Sequence, residues 1–243
     1  MNVKAILIIS MLLGVPAMIV LLITGGEQVS SMLESVPLDS AKRQITEVTN
    51  ELKPLGSKKK NIDKILKTKR CFGCNIQGVD LSGIDLTGAD FRNSDLSGAN
   101  LTDTKMIDAN LKGVRLNDAN LTKADLHGAQ FDSSELKGAN LTEANLFNAR
   151  LSDANLSNAN LKGSELRDAD LIGSQLQNAN FTGAFLYGTR LQEANLTGTD
   201  FSSARMRYAN LRGATVESTN FSGADLEFAV MPDGTTVYGT TKY

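Results

Sequence analysis

Two cysteines three residues apart, Cys71 and Cys74, and a single histidine, His127, are the residues of this chain with distinctive chemistry. Cys-x-x-Cys spacing serves dithiol redox sites and supplies half of a zinc site. A second cysteine pair is missing and no strand-helix-strand pattern surrounds this one, so a buried packing pair, a capping disulfide and a redox switch stay open. His127 stands in no nucleophile or metal-ligand pattern, and general acid-base catalysis needs a tuned group held in a pocket. The expectation is a protein that is not an enzyme, with no catalytic residue, no metal and no cofactor.

The elements that position these residues follow from one period. From Ile76 to Met231 every fifth residue is large and apolar, through 32 consecutive pentads without insertion or deletion. The residue two before each is small or β-branched, and 20 of these are Ala. A helix needs apolar spacings of three and four and a strand needs two, so a strict five fits neither. The chain must turn once per pentad. Four pentads then close a square coil of 20 residues, and coils stack by backbone pairing at roughly 4.8 Å. In Leu156, Ser157, Asn158, Ala159 and Asn160, the Leu and the Ala point inward and the other three outward. The same register turns Cys71 and Cys74 toward the interior of the first coil. The Asn or Asp before each Leu is expected to bond to nearby backbone, as these residues do in turns.

Runs such as Ala-Asn-Leu-Thr-Glu-Ala-Asn-Leu (139–146) and the pentads of 93–101 resemble the pentapeptide-repeat proteins. That resemblance implies an all-β solenoid, a right-handed quadrilateral β-helix, here of about eight four-pentad coils and roughly 40 Å long. Residues 66–75 and the closing Met231-Pro232-Asp233-Gly234-Thr235 are similar to segments of cyanobacterial and plastid members. The family hosts unrelated roles, so its fold does not name a function.

Four segments are expected. Residues 1–26 form a membrane anchor, the uncharged run being able to extend about 30 Å as a helix and cross a bilayer through residues 5–24. A cleaved signal segment is the rival, with Val15-Pro16-Ala17 as its small-residue pattern. Residues 27–70 form a basic linker with one or two amphipathic helices, one over Ser40 to Leu52 and one over Ile62, Ile65 and Leu66. The second is placed to cap the solenoid's open end. Residues 71–234 form the β-helix and 235–243 a tail. Residues 1–70 hold 11 Lys+Arg against 6 Asp+Glu, a net +5, and residues 71–243 hold 14 against 21, a net −7. The basic stretch suits anionic lipid or an acidic partner. The resemblance favours the solenoid on the lumenal or periplasmic side of a membrane that it crosses once; a cytoplasmic or stromal solenoid stays open.

Counting by 20 sorts the side chains into columns. Phe181, Phe201 and Phe221 share one inward column and should form a core ladder. Outward, the face built on Leu86, Met106 and Leu126 gathers Ile107, His127, Phe147, Phe185, Tyr187, Tyr208 and Phe228 with Arg167, Arg205 and Arg207. Aromatic and Arg side chains anchor protein interfaces, and an exposed apolar strip marks contact. The expected function is a membrane-tethered interaction scaffold that docks a protein partner on this stripe. The resemblance points to a membrane or photosynthetic complex as that partner. The rivals are a DNA-mimic inhibitor of a topoisomerase and a lumenal thiol sensor at Cys71 and Cys74. No nucleic acid is expected to bind, and end-to-end self-association of rods is open.

Overall fold

The computed structural model describes residues 62–239. The expected anchor, signal segment and first linker helix lie outside the described residues. Among the described residues no helix is long and apolar enough to cross a membrane.

The five-residue period produces a four-sided parallel β-helix. Each pentad touches the next coil through one isolated parallel bridge, from Arg70 with Asp90 to Asn210 with Val230, always 20 residues on. Eight coils result, the first over 71–90 and the last over 211–230.

A buried or paired backbone needs a partner for every N–H, and one pentad shows how the sequence meets this. The Leu96 N–H donates to Arg115 O at 2.8 Å and the Gly98 N–H to Asn117 O at 2.8 Å, both in the next coil. The Ala99 N–H closes the corner on Leu96 O at 2.9 Å, and the Asn100 N–H donates back to Val79 O at 2.8 Å in the coil before. That leaves the Ser97 N–H, which donates to the Asp95 carboxylate at 3.1 Å. The Asn or Asp before each Leu is therefore the side chain that caps the one donor the coil-to-coil ladder omits. The same bond recurs from Thr122 to Asn120, Thr142 to Asn140 and Ser202 to Asp200. At Asp95, burial pushes the carboxyl up, but hydrogen bonds from Ser97, Gln77 and Arg115 outweigh it and hold the pKa at about 2.

The corner also needs a left-handed residue. In all 32 pentads from Gly73 to Phe228, the residue two after the large inward one has positive φ. Fifteen of these are Gly, as at Gly98 with φ 65°, and most of the others are Asn, Asp or Ser. Only Gly visits this region freely, with Asn and Asp next.

Leu and Ala fill the shaft, and the residues from Leu81 to Leu211 at the large inward position are buried. Several inward Ser and Thr bond a backbone carbonyl, Thr104 donating to Leu101 O at 2.7 Å in its own corner and Thr189 to Leu166 O at 2.8 Å in the coil before. The expected ladder is present. Phe181 and Phe201 stack at 4.9 Å and Phe201 and Phe221 at 5.5 Å, with Phe221 half-buried in the last coil.

Both ends are treated. Helix α1 (62–68) drops Ile65, fully buried, onto the first coil, which is the expected cap. Leu66 is 53% exposed and takes no part in it, so the apolar face of α1 is narrower than the sequence reading. At the other end the tail turns at 231–235 and runs back antiparallel, Phe228 N–H donating to Val237 O at 2.8 Å and Val237 N–H to Ala229 O at 2.9 Å. The expected tail thus begins as part of the solenoid's last edge, covering the Leu226 side.

Leu156 sits mid-stack and fully buried. Leu156→Ala is expected to cost about 2–5 kcal/mol by leaving a cavity, and Leu156→Asp more, because its carboxylate has no partner in the shaft. Thermal melts followed by circular dichroism check the order parent, Ala, Asp; an Asp variant melting with the parent contradicts it.

Candidate functional site

The register lays out four unlike faces. The Leu81 face carries Asn and Thr in two columns that bond to each other, Asn160 Nδ2 donating to Thr142 Oγ1 at 2.9 Å and Asn140 Nδ2 to Thr122 Oγ1 at 3.0 Å. The Phe91 face alternates charge from coil to coil, pairing Lys112 and Arg150 with Asp132 at 3.4 and 3.2 Å and Arg190 with Asp170 at 3.1 Å. Each of these charges has an opposite partner in a neighbouring coil.

The Leu86 face differs. His127 meets Phe147 edge-on at 5.0 Å, and the Arg167 guanidinium lies over the same Phe147 ring at 5.6 Å. Tyr187 contacts Tyr208 at 5.1 Å, Tyr208 stacks on Phe228 at 5.0 Å, and Phe228 meets Tyr238 at 6.3 Å. Arg205 lies over Phe185 at 4.7 Å and Arg207 over Phe228 at 5.9 Å. Every residue of the sequence-derived stripe is on this face, and all but Ile107 join these ring contacts. Tyr187 and Tyr208 are about half exposed, at 47% and 48%, while Phe147, Phe185 and Phe228 are half-buried.

Between two adjacent columns of the stripe lies a shallow groove of about 510 Å³. Glu165, Phe185, Arg205 and Asp225 form one wall, and Arg167, Tyr187 and Arg207 the other. Glu165 accepts from Arg167 at 2.8 Å, and Glu227 pairs with Arg207. The Arg167 pKa is raised, first by its hydrogen bond to Glu165 and then by that carboxylate's charge.

The stripe breaks both rules that build the coil. Tyr208 and Phe228 occupy the left-handed corner with φ of 60° and 63°, the only aromatic residues there among the described ones. A bulky side chain in this region costs roughly 1–2 kcal/mol. Phe185 and Arg205 stand where Asn or Asp would cap the N–H two residues on, and neither side chain offers an acceptor. Several other pentads lack the cap, at Lys105, Arg115 and Arg190 for example, but those positions hold long charged groups. Phe185 is the aromatic exception. Among the described residues only this face puts aromatic side chains at the left-handed corner and at the capping position, and local rules are broken where a site requires it.

Sequence reasoning missed two aromatics. Tyr238, 76% exposed, extends the stripe from the tail, and only the antiparallel return of that tail places it there. Phe72, 63% exposed beneath Arg92 at 5.5 Å, lies off the stripe near the first coil. The signal for the strained corner was readable as Gly, Asn and Asp recurring every fifth residue.

Cys71 and Cys74 are joined in a disulfide, with Cys71 fully buried and Cys74 half-buried. The Ser94 hydroxyl donates to Cys71 O, and the Cys74 N–H donates to Ser94 Oγ at 3.1 Å, tying the bridge to the next coil. Of the openings left by the sequence, the structure shows the capping disulfide. Among the described residues no group of three His, Cys, Asp or Glu could hold a metal ion.

Stacked four-cornered coils joined by parallel bridges define the class: a parallel β-solenoid. Pentapeptide repeats (8 copies) match residues 149–188 and 186–223, and the pentapeptide repeat region matches residues 69–146. The chain belongs to the pentapeptide-repeat family, whose fold is the right-handed quadrilateral β-helix. No curated protein matches it. Among solved structures it is similar to HetL, a pentapeptide repeat protein involved in heterocyst differentiation regulation from the cyanobacterium Nostoc sp. strain PCC 7120. Identity there is 28%, over 72% of this chain and 97% of that one, with a TM-score of 0.29. Full-length QnrB1, a plasmid-mediated fluoroquinolone resistance protein, is 22% identical over 70% of this chain and 89% of its own, with a TM-score of 0.44. A pentapeptide repeat protein of the Arabidopsis thaliana thylakoid lumen is 28% identical over 56% and 70%, with a TM-score of 0.20.

Two measurements follow from this geometry. Thiol labelling of unreduced protein, native or denatured, should find no free cysteine, and labelling after reduction should find both; a thiol accessible before reduction removes the bridge. Tyr208→Asn should leave the melting temperature unchanged or raised, because relief of the left-handed strain offsets about 0.5–1.5 kcal/mol of ring contact. A drop of more than about 5 °C, well over 1 kcal/mol for a chain of this size, would show that the ring serves the fold.

Proposed function

We propose that this chain is a non-enzymatic interaction module that docks a protein partner through the aromatic and Arg stripe from His127 to Phe228. The observation that supports it is the meeting of the two aromatic left-handed corners and the uncapped aromatic pentad on the one face with an open groove. A rod selected for stability alone would keep Asn or Gly at 208 and 228 and Asn or Asp at 185. The proposal includes a membrane tether through residues 5–24, with the solenoid on the lumenal or periplasmic side and a membrane or photosynthetic complex as partner. That part rests on the uncharged run near the N-terminus and on the family resemblance.

The DNA-mimic alternative is less well supported. An acidic rod imitates a phosphate backbone only where its charges form an uninterrupted track. Here Asp95, Asp132 and Asp170 each hold a cation within salt-bridge distance, and the acids are spread over several faces.

The test is crosslinking of the full chain in native membranes, with recovery of captured proteins from the parent and from a Phe147→Ser, Tyr187→Ser, Tyr208→Ser variant. A specific partner lost with the variant supports the stripe. The same set of captured proteins from both would overturn it.

A further inference from the structure

We infer that the groove between the Phe185 and Tyr187 columns receives an acidic segment of the partner protein, extended along the rod. This deepens the docking reading and rests on it. The ring faces of the stripe are already occupied by one another or by guanidinium groups: Tyr208 stacks on Phe228 at 22° between planes, and Phe147, Phe185 and Phe228 each lie beneath an Arg. Beside these rings the groove walls carry the guanidinium groups of Arg167, Arg205 and Arg207. Ring edges are the electropositive part of the quadrupole, and guanidinium carries donors only. A ligand that stacks on ring faces finds Phe147, Phe185 and Phe228 already covered on one side by Arg, whereas a carboxylate finds guanidinium donors on both walls.

Arg205 is the cation available to it. Arg167 is held by Glu165 and Arg207 by Glu227, but Arg205 has no carboxylate partner among the described residues. Asp225 stands one coil along in the same column, and its Oδ1 accepts the Glu227 N–H at 3.2 Å. Its guanidinium lies over the Phe185 ring at 4.7 Å, which holds at the groove wall a fork of the kind that matches a carboxylate. The lining holds three Arg against two acids, while residues 71–243 as a whole carry 14 Lys+Arg against 21 Asp+Glu. A long polyanion such as nucleic acid would have to run over the acidic remainder of the rod. A short acidic segment meets only the groove. From Glu165 to Asp225 the groove crosses three coil spacings, roughly 14 Å, which an extended chain covers in about four residues.

The experiment selects a displayed library of random 12-residue peptides on the full chain in detergent. The enriched peptides are then measured by fluorescence anisotropy against the parent, Arg205→Glu and the Tyr187→Ser, Tyr208→Ser variant. The expected result is a consensus with two or more Asp or Glu, bound at least about ten-fold more weakly by Arg205→Glu and weakened by salt. Neutral or basic peptides that still need Tyr187 and Tyr208 would overturn the acidic chemistry and leave the docking stripe standing. Peptides bound equally by parent and both variants, or no enrichment, would overturn this inference and count against the stripe. A dT12 oligonucleotide or phosphatidylglycerol vesicles captured through Arg205, with no acidic peptide enriched, would replace the proposed partner class with a polyanion.

Discussion

Everything in this molecule depends on a backbone donor that the ladder between coils cannot reach. In a pentad with a coil on either side, four of the five N–H groups find carbonyls, three in neighbouring coils and one across the corner. The fifth, on the residue after Leu, does not, and the Asn or Asp two residues before it supplies the oxygen. Such a donor left unsatisfied beside a packed shaft costs about 1–3 kcal/mol. Recurring in most pentads, that cost explains why the sequence is so monotonous: Asn or Asp for the donor, Leu for the shaft, a left-handed corner residue, and Ala where the shaft is narrowest.

The same constraint makes departures readable. A polar face such as the Asn and Thr columns above Leu101 and Leu121 follows the rules and offers partners only to itself. Charged replacements on the Phe91 face give up some caps but recover ion pairs between coils, each modest because it is partly exposed. On the Leu86 face the replacements are aromatic, and the corner pays in strain at Tyr208 and Phe228. The rings recover part of this by contacting one another. The aromatic stripe thus sits on a scaffold whose stability comes from elsewhere, the buried Leu column and the ladder, so its surface side chains are free to change.

The fold was legible because it has one period and no exceptions to it. The inward Leu and Ala, the eight coils, the Phe181, Phe201 and Phe221 ladder and the grouping of the stripe all follow from counting by five and by 20. The role of Asn and Asp was legible in kind, as side chains that bond backbone, though which N–H they serve needed the coil register. The left-handed corner was not read, although Gly73, Gly78 and Gly83 open the series, because Lys123, Glu143 and Tyr208 interrupt the compositional signal. The return of the tail was not legible either. It depends on the free edge of the last coil, and nothing local to 235–238 announces an antiparallel partner. Pairing of Cys71 with Cys74 stayed open because two inward positions of one pentad suit packing as well as a bond.

A closed ring of 20 residues also sets how such a chain can lengthen. Gaining or losing a single residue would rotate every later side chain off its wall, turning Leu outward and Asn into the shaft. Gaining or losing one whole storey returns each to the wall it left. Duplication in steps of 20 therefore changes the reach of the rod while preserving the text written along its side, so its length can be adjusted as on a ruler, separately from the pattern on each face.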